Sequence, residues 1–129
     1  WIKRTKEKSL NVCGHLIYGL PDETQEMMLE TFRKTISLNV DSIKFHPLYV
    51  VKNTLLTNEY KKGKFEPISE ELYIDTVVKS IINLPNNVVV QRVTAGIDDD
   101  TLLAPMWCKD KHKQIKKIRE ALFLEGLDY

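Results

Sequence analysis

The feature that most constrains this chain is a regular alternation of short β-forming runs with amphipathic helical stretches. Residues 12–18 are a mostly apolar run closed by Gly19 and Pro21, the pattern of a buried strand ending in a turn. A helix follows. Asp22 precedes Gln25 at capping-box spacing, Glu23 and Glu26 suit a positive helix end, and Met28, Leu29, Phe32 and Ile36 recur at helical period before Asn39 stops it. Residues 42–51 predict a second strand, with Pro47 marking a bulge or strand end. Ser69 caps a second helix whose stripe of Ile74, Val77, Val78, Ile81 and Ile82 ends before Pro85. Residues 87–94 are the third strand, and a last helix spans 109–124 with Gly126 just beyond.

Strands separated by helices cannot be hairpin neighbours, so they are most simply parallel, joined by right-handed crossovers with helices covering the sheet. The fold class is therefore α/β. Three strands make either a compact two-layer unit or one portion of a larger sheet or barrel. Residues 52–67 carry Lys52, Lys61, Lys62 and Lys64 with little periodicity and read as a long exposed loop with room for one helical turn, while Asp98-Asp99-Asp100 begins an acidic loop.

No repeat or low-complexity stretch divides residues 1–129, so a single unit is expected. Its 43% hydrophobic content suffices for a core without disulfide or metal. Nineteen basic against eighteen acidic residues leave a net charge of +1, which argues for neither nucleic acid nor membrane on totals alone. No apolar run approaches the roughly 18 residues of a membrane span. Cys13 and Cys108 match no paired metal spacing and suit a reducing, cytoplasmic compartment; both read as packing residues, Cys13 inside its strand. The chain opens on Trp1 without a leader pattern, which leads us to expect a piece of a longer protein.

Parallel strands covered on both faces read as continuous apolar runs, so polar interruptions need a reason. With a period of two, Cys13, His15, Ile17 and Gly19 share one face of the first strand, and Lys44, His46 and Leu48 share one face of the second. The third offers Gln91 on one face and Arg92 with Thr94 on the other. If His15, Lys44, His46 and Arg92 or Gln91 point the same way, they converge on one polar patch toward the carboxyl ends of the strands, where α/β proteins bind ligands. The alternative is that the histidines are satisfied core imidazoles and the cations lie on an exposed edge.

The turn from Gly19 to Thr24 leads into a helix N-terminus but has neither the dinucleotide fingerprint nor the phosphate-loop lysine. His15, His46 and His112 have no metal spacing, and no metal ligand is assigned. Lys109, Lys111, Lys113, Lys116, Lys117 and Arg119 make the last helix basic, so a self-contained α/β module contacting RNA through that helix is a second reading.

Three blocks carry a family resemblance. His15-Leu16-Ile17-Tyr18-Gly19-Leu20-Pro21-Asp22-Glu23-Thr24, then Ile43-Lys44-Phe45-His46-Pro47-Leu48-Tyr49-Val50-Val51-Lys52-Asn53-Thr54, and finally Leu103-Ala104-Pro105-Met106-Trp107-Cys108 with Lys111, closely resemble the radical S-adenosylmethionine superfamily. Within it, the chain most resembles the branch of Fe-S oxidoreductases related to the elongator catalytic subunit. The resemblance implies the C-terminal fragment of a partial (β/α) TIM-like barrel: residues 1–66 as the last strands of the core with a following loop, and 67–129 as a C-terminal extension. It further implies S-adenosylmethionine and a [4Fe-4S] cluster as cofactors of the full-length protein, with the three-cysteine ligand motif absent from this chain, so that the fragment is inactive alone. The implied activity is reductive cleavage of S-adenosylmethionine to a 5'-deoxyadenosyl radical that abstracts hydrogen from a substrate, possible RNA included. Ile17, Gly19 and His46 match the cofactor side, Gly19 because its backbone would have to approach the ligand. His15, Lys44, Arg92 and Thr94 fall to the substrate side on the residue pattern, and no catalytic residue is assigned. Asp22 and Asn53 stand where the family has Gly, and both residue types tolerate a left-handed backbone.

Overall fold

The computed structural model describes residues 10–127 and, before them, Arg4. In chain order the elements are β1 (Cys13–Tyr18), α1 (Gln25–Ser37), β2 (Ser42–Pro47), β3 (Val50–Val51), α2 (Leu55–Lys61), α3 (Glu70–Ile82), β4 (Val89–Arg92), β5 (Leu102–Ala104), a 3-10 turn (Met106–Lys109) and α4 (Lys111–Leu124). β1, β2 and β4 form one parallel sheet with β2 in the middle, as the alternation of strands and helices requires. β4, from the part beyond residue 66, thus completes the sheet begun by β1 and β2. Asp41 fastens its leading end: Val12 N–H donates to the Asp41 carboxylate at 2.7 Å, and the Asp41 carbonyl accepts from Val89 N–H at 3.1 Å.

All three long helices lie on one face of this sheet. Leu16 and Tyr18 of β1 and Ile43 and Phe45 of β2 are buried against Met28 and Phe32 of α1, Tyr73 and Val77 of α3, and Ile118 and Leu122 of α4. Truncating a fully buried ring such as Phe45 would cost about 3–5 kcal/mol. The polar groups within this layer are matched. Tyr18 and Ser80 hydroxyls bond at 2.7 Å, Tyr73 donates to the Val93 carbonyl at 2.8 Å, and Trp107 donates to the Ile68 carbonyl at 3.0 Å. Burial raises the Tyr18 phenol to about 12, so it stays protonated as a structural donor.

Several local expectations change. Thr24, not Asp22, caps α1 by accepting from Met27 N–H, because Asp22 takes a left-handed backbone at φ 62°. Gln25 is consequently free to bridge α1 to α3, donating to Asp75 and Thr76 and accepting from Lys79. Asn53 also adopts φ 64°, so both positions where the resemblance led us to expect Gly hold the conformation Gly favours. Residues 52–67 are not a bare loop: Thr54 and Thr57 cap each other reciprocally and nucleate α2. The second strand stops at Pro47, and Val50–Val51 leaves the sheet to pair antiparallel with β5. Neither α2 nor β5 carries a helical or alternating apolar period long enough to be read in sequence.

Candidate functional site: the uncovered face of the sheet

Among the described residues from 10 to 127, no helix lies on the opposite face of the sheet. Ile17 is 47% exposed and Val89 62%, while Leu16 and Phe45, one residue away in strand parity, are 5% and 0%. Register places His15 opposite Lys44 and Lys44 opposite Arg92, so one row across three strands reads imidazole, ammonium, guanidinium. Neighbouring strands lie about 4.8 Å apart, so the row spans roughly 10 Å. The next row pairs Ile17 with His46. Among the described residues neither Lys44 nor Arg92 belongs to an ion pair, which leaves two adjacent cations available to an anion.

His46 is half-buried beside Tyr49, the ring centroids 5.1 Å apart. Its Nδ1 sits 2.6 Å from the Pro47 carbonyl oxygen. A carbonyl only accepts, so Nδ1 carries the hydrogen and Nε2 is left with a lone pair. Burial pulls the imidazole below its ordinary value; the Pro47 contact opposes this, and the charges of Arg92 and His15 reinforce it. His46 is therefore a neutral hydrogen-bond acceptor at pH 7.

Two residues assigned to the site have other surroundings. Thr94 is 1% exposed and donates to the side-chain oxygen of Gln114, whose amide donates in turn to the Trp107 carbonyl at 2.8 Å. It lies in the helical layer and does not join the row. Arg92 and Thr94 do not share a face because β4 ends at Arg92 and Thr94 lies beyond it, whereas Arg92 joins the row because the β2–β4 register shifts after Ile43: Ile43 faces Val90 but Lys44 faces Arg92. The extra residue, Gln91, donates to Ser42 Oγ at 2.8 Å, and both Gln91 and Arg92 emerge on the open side. Gly19 is buried at φ 101°, and a Cβ there would fall 2.7 Å from Ile68 Cγ2. Packing against Ile68 explains that glycine, and its N–H is already engaged by Glu23 Oε1 at 3.1 Å.

The thiols lie on different sides. Cys108 is fully buried in the helical layer and pushed up to about 12 by burial, so it is a protonated packing group. Cys13, expected in the core, is instead half-buried on the same strand parity as His15 and Ile17. Sequence alone also passed over Tyr49, whose only signal is an aromatic three positions after His46 across a proline.

The basic residues of α4 face away from this site, since α4 packs on the covered side through Gln114, Ile118 and Leu122. Lys113 and Lys116 are exposed, whereas Lys117 is paired with Glu70. Among the described residues no helix is long and apolar enough to cross a membrane.

The described residues thus form a parallel α/β sheet covered by helices on one side, with cations and imidazoles on the other. The Radical SAM C-terminal domain family matches residues 40–123, and the chain belongs to that family, as a C-terminal part related to the elongator catalytic subunit. It is 37% identical over 106 residues to protein YhcC of Escherichia coli (strain K12), covering 82% of this chain and 34% of that one. Against the tRNA uridine(34) acetyltransferase of Methanocaldococcus infernus the identity is 28% over 95 residues, 71% of this chain and 18% of that one. The structure of archaeal Methanocaldococcus infernus Elp3 with an N-terminal deletion (1-46) superimposes with a TM-score of 0.82 at 24% identity, covering 95% of this chain and 29% of that one. The chain thus spans about a third of the length of YhcC.

The cluster implied by this family does not fit on the described residues. It needs three cysteine thiolates, whereas Cys108 is buried and protonated, Cys13 is remote from it in sequence and layer, and no group of three His, Cys, Asp or Glu side chains is placed to hold a metal.

Proposed function

We propose that this chain forms one wall of the reaction chamber of a radical S-adenosylmethionine Fe-S oxidoreductase that acts on RNA. In this reading residues 1–66 are the last strands of the barrel core with their following loop, and 67–129 are an extension that adds β4 to its edge. The observation that carries it is the row His15, Lys44, Arg92 beside the pair Ile17 and His46, all on the face opposite the three long helices of the described residues. The chemistry supplied by bound S-adenosylmethionine is reductive cleavage to a hydrogen-abstracting radical, with the cluster held by another part of the protein.

This chain's own residues bind and orient. Exposed Ile17 offers an apolar surface to the adenosyl part, and His46 Nε2 accepts one hydrogen bond from it. Gly19 shapes the strand end that supports Ile17 without touching the ligand. Lys44 and Arg92, unneutralised and adjacent, hold a phosphate of the substrate, and His15 flanks them. Likeness to a tRNA uridine(34) acetyltransferase supports RNA as the substrate class. Two unpaired cysteines suit the reducing cytoplasm.

The test is 5'-deoxyadenosine release by the anaerobically reconstituted full-length protein under reductant. The full-length protein should form it, Ile17→Asp and His46→Ala should lower the rate at least ~10-fold, and the 129-residue chain alone should form none. Product from the isolated chain, or none from the full-length protein, defeats the proposal.

A further inference from the structure

Past the carboxyl end of β2 the chain builds a second concavity. β3 and β5 pair through Val50 with Ala104 and Val51 with Leu102, and Lys52 N–H extends the ribbon by donating to the Thr101 carbonyl at 2.8 Å. Thr54 and Thr57 both donate to the Val51 carbonyl and hold α2 against that ribbon. Between them lies a cavity of about 590 Å³, lined by Lys52, Asn53, Asn58 and Lys61 with Leu55 and Leu103.

Among the described residues no carboxylate lines this cavity. Lys52 and Lys61 are exposed, and neither is in an ion pair with a described residue, whereas nearby Lys64 is tied to Glu59 at 3.3 Å. Asp99 feels the charge of Lys52 but lies outside the lining; its carboxylate accepts from both the backbone and the hydroxyl of Thr101. The cavity at the start of α4 differs, since Asp98 and Asp110 stand among its lysines. Leu55, 86% exposed, gives the first cavity an apolar wall. Two ammonium groups, two amides and an apolar wall in one concavity suit a nucleotide better than a bare ion: the cations take the phosphate, the amides the sugar or base edge, and leucine the flat face.

Position links the cavity to the open face. Lys52 follows His46 by six residues, at most about 22 Å of extended chain. The ribbon leaves the sheet at the end where Tyr18, Pro47 and Arg92 close their strands.

We propose that this cavity is a subsite for the sugar-phosphate backbone of the RNA substrate, gripping the strand next to the residue being transformed; it rests on the RNA reading above. The experiment measures binding of unfractionated tRNA to the full-length protein across a salt series, for the wild type, K52A/K61A, K52R/K61R and K113A/K116A. Each lost single-strand phosphate contact lowers the log–log salt slope by about 0.7, which at 0.1 M salt is about 5-fold in affinity. K52A/K61A should therefore lower the slope by about 1.4 and bind about 25-fold more weakly. K52R/K61R should restore both. Release of 5'-deoxyadenosine without RNA should stay at the wild-type level in every variant, which shows that the chamber is intact. Wild-type slope and affinity in K52A/K61A overturn the subsite while leaving the RNA reading standing, and loss confined to K113A/K116A moves the contact to α4. Failure of the wild type to bind tRNA removes the RNA reading and the subsite with it.

Discussion

Lys44 and Arg92 face each other across β2 and β4 only because β4 carries one residue more than its partner between Val90 and Arg92. That extra residue turns a guanidinium toward an ammonium on a surface where no described carboxylate neutralises either. Like charges directly opposite in a sheet are unfavourable. Under the proposed function, the two cations serve an anionic ligand at a small cost in stability.

Arg92→Gln should accordingly leave stability unchanged or raise it by up to about 0.5 kcal/mol. It should also raise the His46 pKa, because Arg92 is one of the charges that depress it. Urea unfolding and an NMR titration of the His46 ring check both. An unmoved His46 titration would show that the two side chains do not share the open face.

The pH dependence of His46 has a definite sign. Its folded pKa lies below the ordinary 6.5, so the unfolded chain takes up a proton first as pH falls. The stability associated with a neutral His46 is present above pH 6.5 and is lost as pH drops through the folded pKa. The urea midpoint should decline between pH 7 and pH 5, and His46→Gln should flatten that part of the curve. An identical slope in the variant contradicts the assignment.

Gly19→Ala should destabilise by about 2–4 kcal/mol, combining a backbone that L-residues avoid with a Cβ driven into a packed side chain. The observed φ of 101° and the 2.7 Å approach to Ile68 Cγ2 supply the two causes. Ile68→Ala should recover only the steric part when combined with it. Full recovery in the double variant would mean that the backbone conformation contributes nothing.

Thr94 and Gln114 should behave as a coupled buried pair. Thr94→Val leaves the Gln114 oxygen without its donor and should cost about 1–3 kcal/mol. Thr94→Val with Gln114→Met removes both polar ends and should cost less than the sum of the single changes in a double-mutant cycle. Additive losses would show that the hydrogen bond is not formed.

The parts of the fold and site that were legible in sequence share one property: they are set by short-range periodicity or by the intrinsic freedom of one residue. Parity alone put His15, Ile17, Lys44 and His46 on common faces of their strands, helical spacing located α1, α3 and α4, and Asp22 and Asn53 were suited to a left-handed backbone on residue type alone. Tertiary contacts settled the rest. A bulge depends on how two distant strands register, so the choice of Arg92 over Gln91 as the partner of Lys44 had no local signal. β5 exists because Val50 and Val51 offer it hydrogen-bonding groups, not because three residues favour a strand. Thr94 turns inward because Gln114, twenty positions later, can accept from it. Gly19 is required by its own positive φ and also by Ile68, forty-nine positions away, and the second demand has no trace in its turn. Periodicity fixes which side of an element a residue occupies; only the packed molecule decides which side is left uncovered, and a binding site is made by that choice.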